Sequence, residues 1–129
     1  MSKRILVVDD HEDNRQILRV LLASAGYTMI EAPDGETALA AALSEQPDLI
    51  LMDIRLPYED GYGALKKIRA SDRLKTTPIV AVTAEASQEQ MTKAKNSGFD
   101  GFLGKPLDPD RFPEQIRRIL SGEAVWEFS

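Results

Sequence analysis

At 129 residues the chain has room for one domain and little more, and 43% hydrophobic residues are enough to build a real core. No apolar run approaches the ~20 residues of a membrane span. The absence of cysteine excludes disulfides and thiolate metal sites, and a net charge of −5 argues against whole-domain binding to a phosphate backbone. Ile5-Leu6-Val7-Val8 is too short for a signal-peptide core and runs straight into acids. These features suit a cytoplasmic protein whose partners are proteins, with no direct nucleic-acid contact and no membrane insertion.

Short apolar runs alternate with helix-period segments along the chain. Ile5-Leu6-Val7-Val8 predicts the first strand, and the Ile17, Leu18, Leu21, Leu22, Ala25 stripe predicts a helix ended by Gly26. Thr28–Ala32 is a weaker second strand. Asp34 can cap the next helix, which carries Ala38, Leu39, Ala42 and Leu43 and stops at Pro47. Leu49-Ile50-Leu51-Met52 reads as a strand buried on both faces, and Ala64, Leu65 and Ile68 mark the third helix. Ile79–Val82 is the fourth strand, and Ser87 with Gln90 has capping-box spacing for the fourth helix. Gly101-Phe102-Leu103 is a weaker signal, read as the fifth strand. The fifth helix is expected to have Asp108 as cap and Pro109 first, with Phe112, Ile116, Ile119 and Leu120 inward. Strict β-α alternation implies right-handed crossovers and a doubly wound parallel sheet, whose ligands bind beyond the carboxyl ends of the strands.

The strand ends carry a constellation. Asp9 and Asp10 follow the first strand, Asp53 the third, Thr83 the fourth and Lys105 the fifth. Three carboxylates gathered on one sheet edge repel each other and call for a counter-charge. A hard divalent cation such as Mg2+ supplies it through oxygen ligands, Lys105 adds a compact positive charge, and Thr83 offers a hydroxyl donor. Phosphoryl transfer needs an in-line nucleophile and neutralised equatorial oxygens. Asp53 is the expected nucleophile, ionised without help from a base. The lone histidine, His11, has no partner residue that would make it catalytic, so the phosphate must come from elsewhere.

Those residues resemble, from about Lys3 to Ser121, the receiver domain of bacterial two-component response regulators. The matching pieces are Val7-Val8-Asp9-Asp10, Leu51-Met52-Asp53, Leu56-Pro57 with Asp60-Gly61, Val82-Thr83-Ala84 and Lys105-Pro106. The resemblance implies a flavodoxin-like, five-stranded parallel sheet of order 2-1-3-4-5 with five helices. It implies phosphorylation of Asp53 by a sensor histidine kinase or histidine phosphotransfer protein. It further implies that Mg2+ is held by Asp9, Asp10, Asp53 and the backbone carbonyl of Arg55, and that the Lys105–Pro106 bond is cis. The output would be a change in protein–protein contacts with a downstream target, through the face of the fourth helix, fifth strand and fifth helix. The protein would then be a switch that assists its own phosphorylation and dephosphorylation, not an enzyme acting on other substrates. It is expected to stand alone, as a monomer or weak dimer through that face. The alternative is the receiver of a larger DNA-binding regulator or hybrid sensor kinase.

Other residues are weighed against plainer roles. Phe102 is either a switch aromatic paired with Thr83 or a core phenylalanine without a hydroxyl to anchor it. Lys66, Lys67, Arg69, Arg73 and Lys75 read as a solvated face, as do Arg117 and Arg118. Arg55 and Glu85, two residues after Asp53 and Thr83, carry opposite charges across the path of attacking water and are expected to set the phosphate lifetime. The segment 122–129, with Trp126 and Phe128, is expected to fray or pack incidentally, and docking on a partner is the alternative. A flavin site is disfavoured because Asp9-Asp10-His11-Glu12-Asp13 is the reverse of a phosphate-cradling loop. An aspartyl-nucleophile phosphatase would need a second acid where Arg55 stands.

Overall fold

A computed structural model describes residues 2–128. Five of its strands form as the apolar runs require: β1 (Arg4–Val8), β2 (Thr28–Ala32), β3 (Leu49–Met52), β4 (Ile79–Thr83) and β5 (Gly101–Gly104). The helices between them are α1 (Glu12–Ser24), α2 (Gly35–Glu45), α3 (Gly61–Arg69), α4 (Gln88–Ser97) and α5 (Phe112–Leu120), with a 3-10 turn at Asp72–Leu74. A sixth strand, β6 (Trp126–Glu127), joins them. The parallel sheet therefore has six strands in the order 2-1-3-4-5-6, which corrects the five-stranded expectation.

Both faces of the sheet are covered, which explains why its central strands are continuous apolar runs. Leu6, Val8, Ile50, Met52, Ala81 and Phe102 point to one side, where Ala38, Leu65, Ile68 and Met91 of α2, α3 and α4 meet them. Ile5, Val7, Leu51, Val80 and Leu103 point to the other, against Leu18 and Leu22 of α1 and Phe112, Ile116 and Ile119 of α5. The α1 stripe is narrower than expected, with Leu18 and Leu22 buried but Ile17 55% exposed.

Local signals explain the ends of the elements. Asp34 and Ser87 accept the backbone N–H of Thr37 and Gln90, so both caps form. The reciprocal arm of the Ser87 box is not used that way, because the Gln90 side chain accepts from the Tyr62 hydroxyl. Gly26, at φ 86, ends α1 with the paired bonds of a Schellman motif: Gly26 N–H to Ala23 and Tyr27 N–H to Leu22. The start of α5 lies later than the Asp108-Pro109 signal suggests. Asp108 instead anchors a separate turn, its side chain accepting from Asp110 and its carbonyl from Arg111 and Phe112, and the helix begins at Phe112 with Pro113 in its first turn.

Segment 122–128 is packed onto the fold. Gly122, at φ 99, closes α5 in a second Schellman motif, with Gly122 N–H to Ile119 and Glu123 N–H to Arg118. That turn sends the chain back along β5, where Phe102 pairs with Trp126 and Leu103 with Glu127. Val125 is buried in the α1/α5 core, and Trp126 packs against the other one. The basic cluster is also less uniform than a solvated face. The half-buried Arg69 donates to the carbonyls of Leu74 and Thr77 and pairs with Asp100, which in turn accepts the N–H of Ile79. Arg69 thus clamps the loop leading into β4.

Candidate functional site

The sheet's own hydrogen-bond ladder positions the site. Beyond the last paired residues, Asp9 N–H still reaches Ala32 O (3.1 Å), Asp53 N–H reaches Val8 O (2.9 Å) and Lys105 N–H reaches Thr83 O (2.8 Å). Three of the side chains expected to do chemistry are therefore fixed by the backbone of neighbouring strands, at the carboxyl edge.

There the side chains converge. Lys105 Nζ lies 2.6 Å from Asp9 Oδ2 and 3.0 Å from Asp53 Oδ2, bridging the first and third strand ends. Asp9 and Asp53 are both buried, at 2% and 7% exposure, which without that cation would be a severe cost. Burial pushes the Asp53 carboxyl above its ordinary value, against the pull of Lys105 and of the Arg55 N–H that donates to Oδ1 at 3.0 Å. For Lys105 burial works downward, but the hydrogen bond to Asp9 and the charge of Asp53 outweigh it and raise the ammonium. The Lys105–Pro106 bond is cis, as expected.

Asp9 and Asp10 stand beside His11, and their ligand atoms all lie within 4.8 Å of one another. His11 Nδ1 is 3.1 Å from Asp10 Oδ1, on a side chain 68% exposed. The donor set suits a hard cation, since Asp9 and Asp10 offer oxygen and Asp9 is already held by Lys105 on its other oxygen. Asp53 is not in that cluster: Lys105 takes its Oδ2 and the Arg55 N–H its Oδ1.

Thr83 is buried at the end of β4, and its hydroxyl accepts the Glu85 N–H at 3.2 Å, which leaves its proton for donation. Thr83, Asp53, Arg55, Lys105 and His11 line one open cleft, continued over the apolar side chains of Ile17, Leu18 and Leu107. At its rim Arg55 pairs with Glu85. Phe102 sits fully buried one strand away, packed among the residues facing α4.

One residue beside the site has no motif to mark it. Arg15, in the first turns of α1, donates to the Asp9 carbonyl at 2.6 Å, to Glu12 at 2.7 Å and to Glu31 at 3.1 Å. It braces the loop that carries Asp9 and Asp10. A cation near a helix N-terminus opposes the macrodipole, and that misplacement was the available signal.

An acid pair, a lone acid, a hydroxyl and a lysine at successive strand ends of a doubly wound sheet define the receiver class. A family model for the response regulator receiver domain matches residues 5–117, and the chain belongs to that family. Over 120 residues it is 36% identical to the polar-differentiation response regulator DivK of Brucella anthropi, covering 93% of this chain and 98% of that one. Among solved structures, the chemotaxis response regulator CheY4 of Vibrio cholerae superposes with a TM-score of 0.86 at 34% identity, over 92% of this chain and 99% of that one. The receiver domain of the Pseudomonas aeruginosa sensor histidine kinase PA1611, which has a magnesium ion coordinated in its active site cleft, has a TM-score of 0.86 at 33% identity. That match covers 95% of this chain and all of the other. Receiver domains are signalling switches in two-component phosphorelays, and this chain is one of them. Among the described residues, no helix is long and apolar enough to cross a membrane.

Proposed function

We propose that Asp53 is the phosphoryl acceptor of this receiver and that Lys105 is its charge partner. The observation that carries this reading is the Lys105 ammonium, placed 2.6 Å from Asp9 and 3.0 Å from Asp53 at the carboxyl edge of the sheet. A carboxylate oxygen of Asp53 attacks the phosphorus of a phosphohistidine on the donor. An O–P bond forms as the donor's N–P bond breaks, and the electron pair leaves with the imidazole, which takes up a proton from water. Lys105 turns toward the charge on the incoming phosphoryl oxygens, and Thr83 donates its hydroxyl to another of them.

Asp9, Asp10, Asp53 and the Arg55 carbonyl would hold Mg2+, which when bound neutralises charge on the phosphoryl oxygens. The donor is a sensor histidine kinase or a histidine phosphotransfer protein. The apolar stretch of the cleft, with Ile17 55% and neighbouring Val20 61% exposed, is suited to receive it. Asp53, Thr83 and Phe102 form the switch, and phosphorylation shifts the population toward a state in which Thr83 closes on the phosphoryl group. The receiver proper is assigned to 1–121 with 122–129 appended, and it acts in the cytoplasm by contact with a downstream protein. The match along 98% of a curated relative supports a stand-alone receiver.

Arg55 and Glu85 form an ion pair over the cleft that slows attack of water on the phosphoryl group. The reading as a whole is tested by phosphotransfer from candidate kinases to the parent and to Asp53→Asn, each with Mg2+ and with EDTA. Label is expected on the parent with Mg2+ only. Transfer that persists in Asp53→Asn overturns the site.

A further inference from the structure

The segment beyond α5 is built into the fold more firmly than a fraying end. Its backbone pairs with β5 in parallel, and Phe102 N–H donates to Val125 O at 2.8 Å. Val125 fills an apolar site in the α1/α5 core, 1% exposed. The Trp126 ring lies under the Lys95 ammonium of α4, 4.8 Å from its centroid. The Glu127 carboxylate accepts from Arg111 Nη2 at 2.6 Å and Gln115 Nε2 at 2.7 Å, with Arg118 Nη1 at 3.4 Å. Two glycines make the space. A Cβ on Gly101 would meet Val125 O at 2.7 Å, and one on Gly104 would run into Phe128 O and Ala86. A strand edge with two glycines in it, an apolar socket, an aromatic shelf and a basic cradle together make a site for an extended peptide.

We propose that 125–128 is a displaceable occupant of this site, so that the chain's own tail gates the face formed by α4, β5 and α5. The ligand it stands in for is an extended protein segment of pattern apolar–aromatic–acid that adds as a parallel strand to β5. The gate touches the phosphorylation machinery, since Gly104 precedes Lys105 and lies between Phe128 and Ala86 of the loop that follows Thr83. The inference rests on the receiver reading only in treating this face as a partner surface. Tail docking itself is measured without any phosphoryl chemistry.

Trp126 is the only tryptophan, so its emission reports on the tail alone. Glu127→Lys sets a cation against Arg111 and Arg118 and leaves the apolar contacts of Val125 and Trp126 in place. In the full-length variant Trp126 emission is expected to shift red and become more open to quenchers. The Phe102 amide is expected to exchange about tenfold faster or more, while amides of β1 and β3 keep their parent rates and show that the fold is intact. A synthetic peptide of residues 123–129 with the parent sequence should bind the variant saturably and protect the Phe102 amide again. It should bind the parent at least about tenfold more weakly, because the tail already holds the site. Parent-like emission and exchange in the variant overturn the proposal. So does a peptide that binds both proteins equally or neither.

Discussion

Arg15 holds the main-chain carbonyl of Asp9 at 2.6 Å, tying the first turns of α1 to the loop that carries both acids of the expected metal site. The same guanidinium reaches Glu12 and Glu31, so the brace spans β1, α1 and β2. Arg15→Ala frees that loop without removing any proposed ligand. Mg2+ affinity is expected to fall about tenfold, the usual effect of losing a group that orients metal ligands. Calorimetric titration with magnesium chloride checks this, and unchanged affinity would show that β1 positions Asp9 unaided.

Burial raises the Asp53 carboxyl, so the folded protein holds that proton more tightly than the unfolded chain does. The resulting stability is present in acid and is lost as pH rises through the raised folded value. At neutral pH the ionised carboxylate is therefore a net cost, only partly offset by Lys105. Asp53→Asn is expected to stabilise the metal-free protein at neutral pH by about 1 kcal/mol, the ordinary size of a single substitution. The gain should shrink as pH falls to where the parent carboxyl is protonated, and it should shrink in Mg2+, which supplies the missing counter-charge. Urea unfolding of both proteins, in EDTA and in Mg2+ over a pH series, measures each trend.

The strand ends were legible in the sequence because four-residue apolar runs stop abruptly at charged residues, and a sheet covered on both faces leaves no other place for such runs. Asp53 after Leu49–Met52 could be placed on that edge from the pattern, whereas Lys105 follows the weaker Gly-Phe-Leu-Gly strand β5 and is placed by the β-α alternation and the Lys105-Pro106 motif. For Arg15 the sequence offers only a cation misplaced near a helix N-terminus, since the carbonyl it holds is met only once α1 has packed. Strand β6 escaped for a different reason. Only two of its residues pair, too few to show a strand period, and its partner lies more than 20 positions upstream. The clearest trace of it lay in β5, where Gly101 and Gly104 leave room for a backbone that the five-stranded topology does not contain.

Gly104 tests that closeness directly. Its Cβ would collide with Phe128 O and also stand 2.6 Å from the Ala86 Cβ, and neither the strand nor the β4–α4 loop can yield cheaply. Gly104→Ala is expected to cost about 1–3 kcal/mol, the range for overpacking a filled site. Gly122→Ala acts on the turn instead, forcing a side chain into φ 99 with open space around it, and should cost about 1 kcal/mol from backbone strain. Both losses are read from urea unfolding, and Trp126 emission should shift with the first more than with the second.

The Arg55–Glu85 pair makes a prediction in which stability and function separate. Arg55 is 74% exposed and Glu85 36%, so water screens their attraction and the pair adds little to folding, within about 0.5 kcal/mol. Their position is another matter, since Arg55 lines the cleft that holds Asp53 and Thr83 and its partner Glu85 lies two residues beyond Thr83. On the proposed reading, a water attacking a phosphoryl group on Asp53 is screened by that pair, and removing one side chain takes the screen away while leaving Lys105 and the acids untouched. Arg55→Ala and Glu85→Ala are each expected to shorten the phosphoryl lifetime by up to about tenfold, equivalent to at most ~1.4 kcal/mol in the barrier. The double variant should be little faster than either single, because either loss breaks the same contact. Decay of labelled phosphoprotein in Mg2+, followed beside urea unfolding of the same variants, separates the two effects. Parent-like lifetimes in both singles would remove the pair from any role in timing the signal.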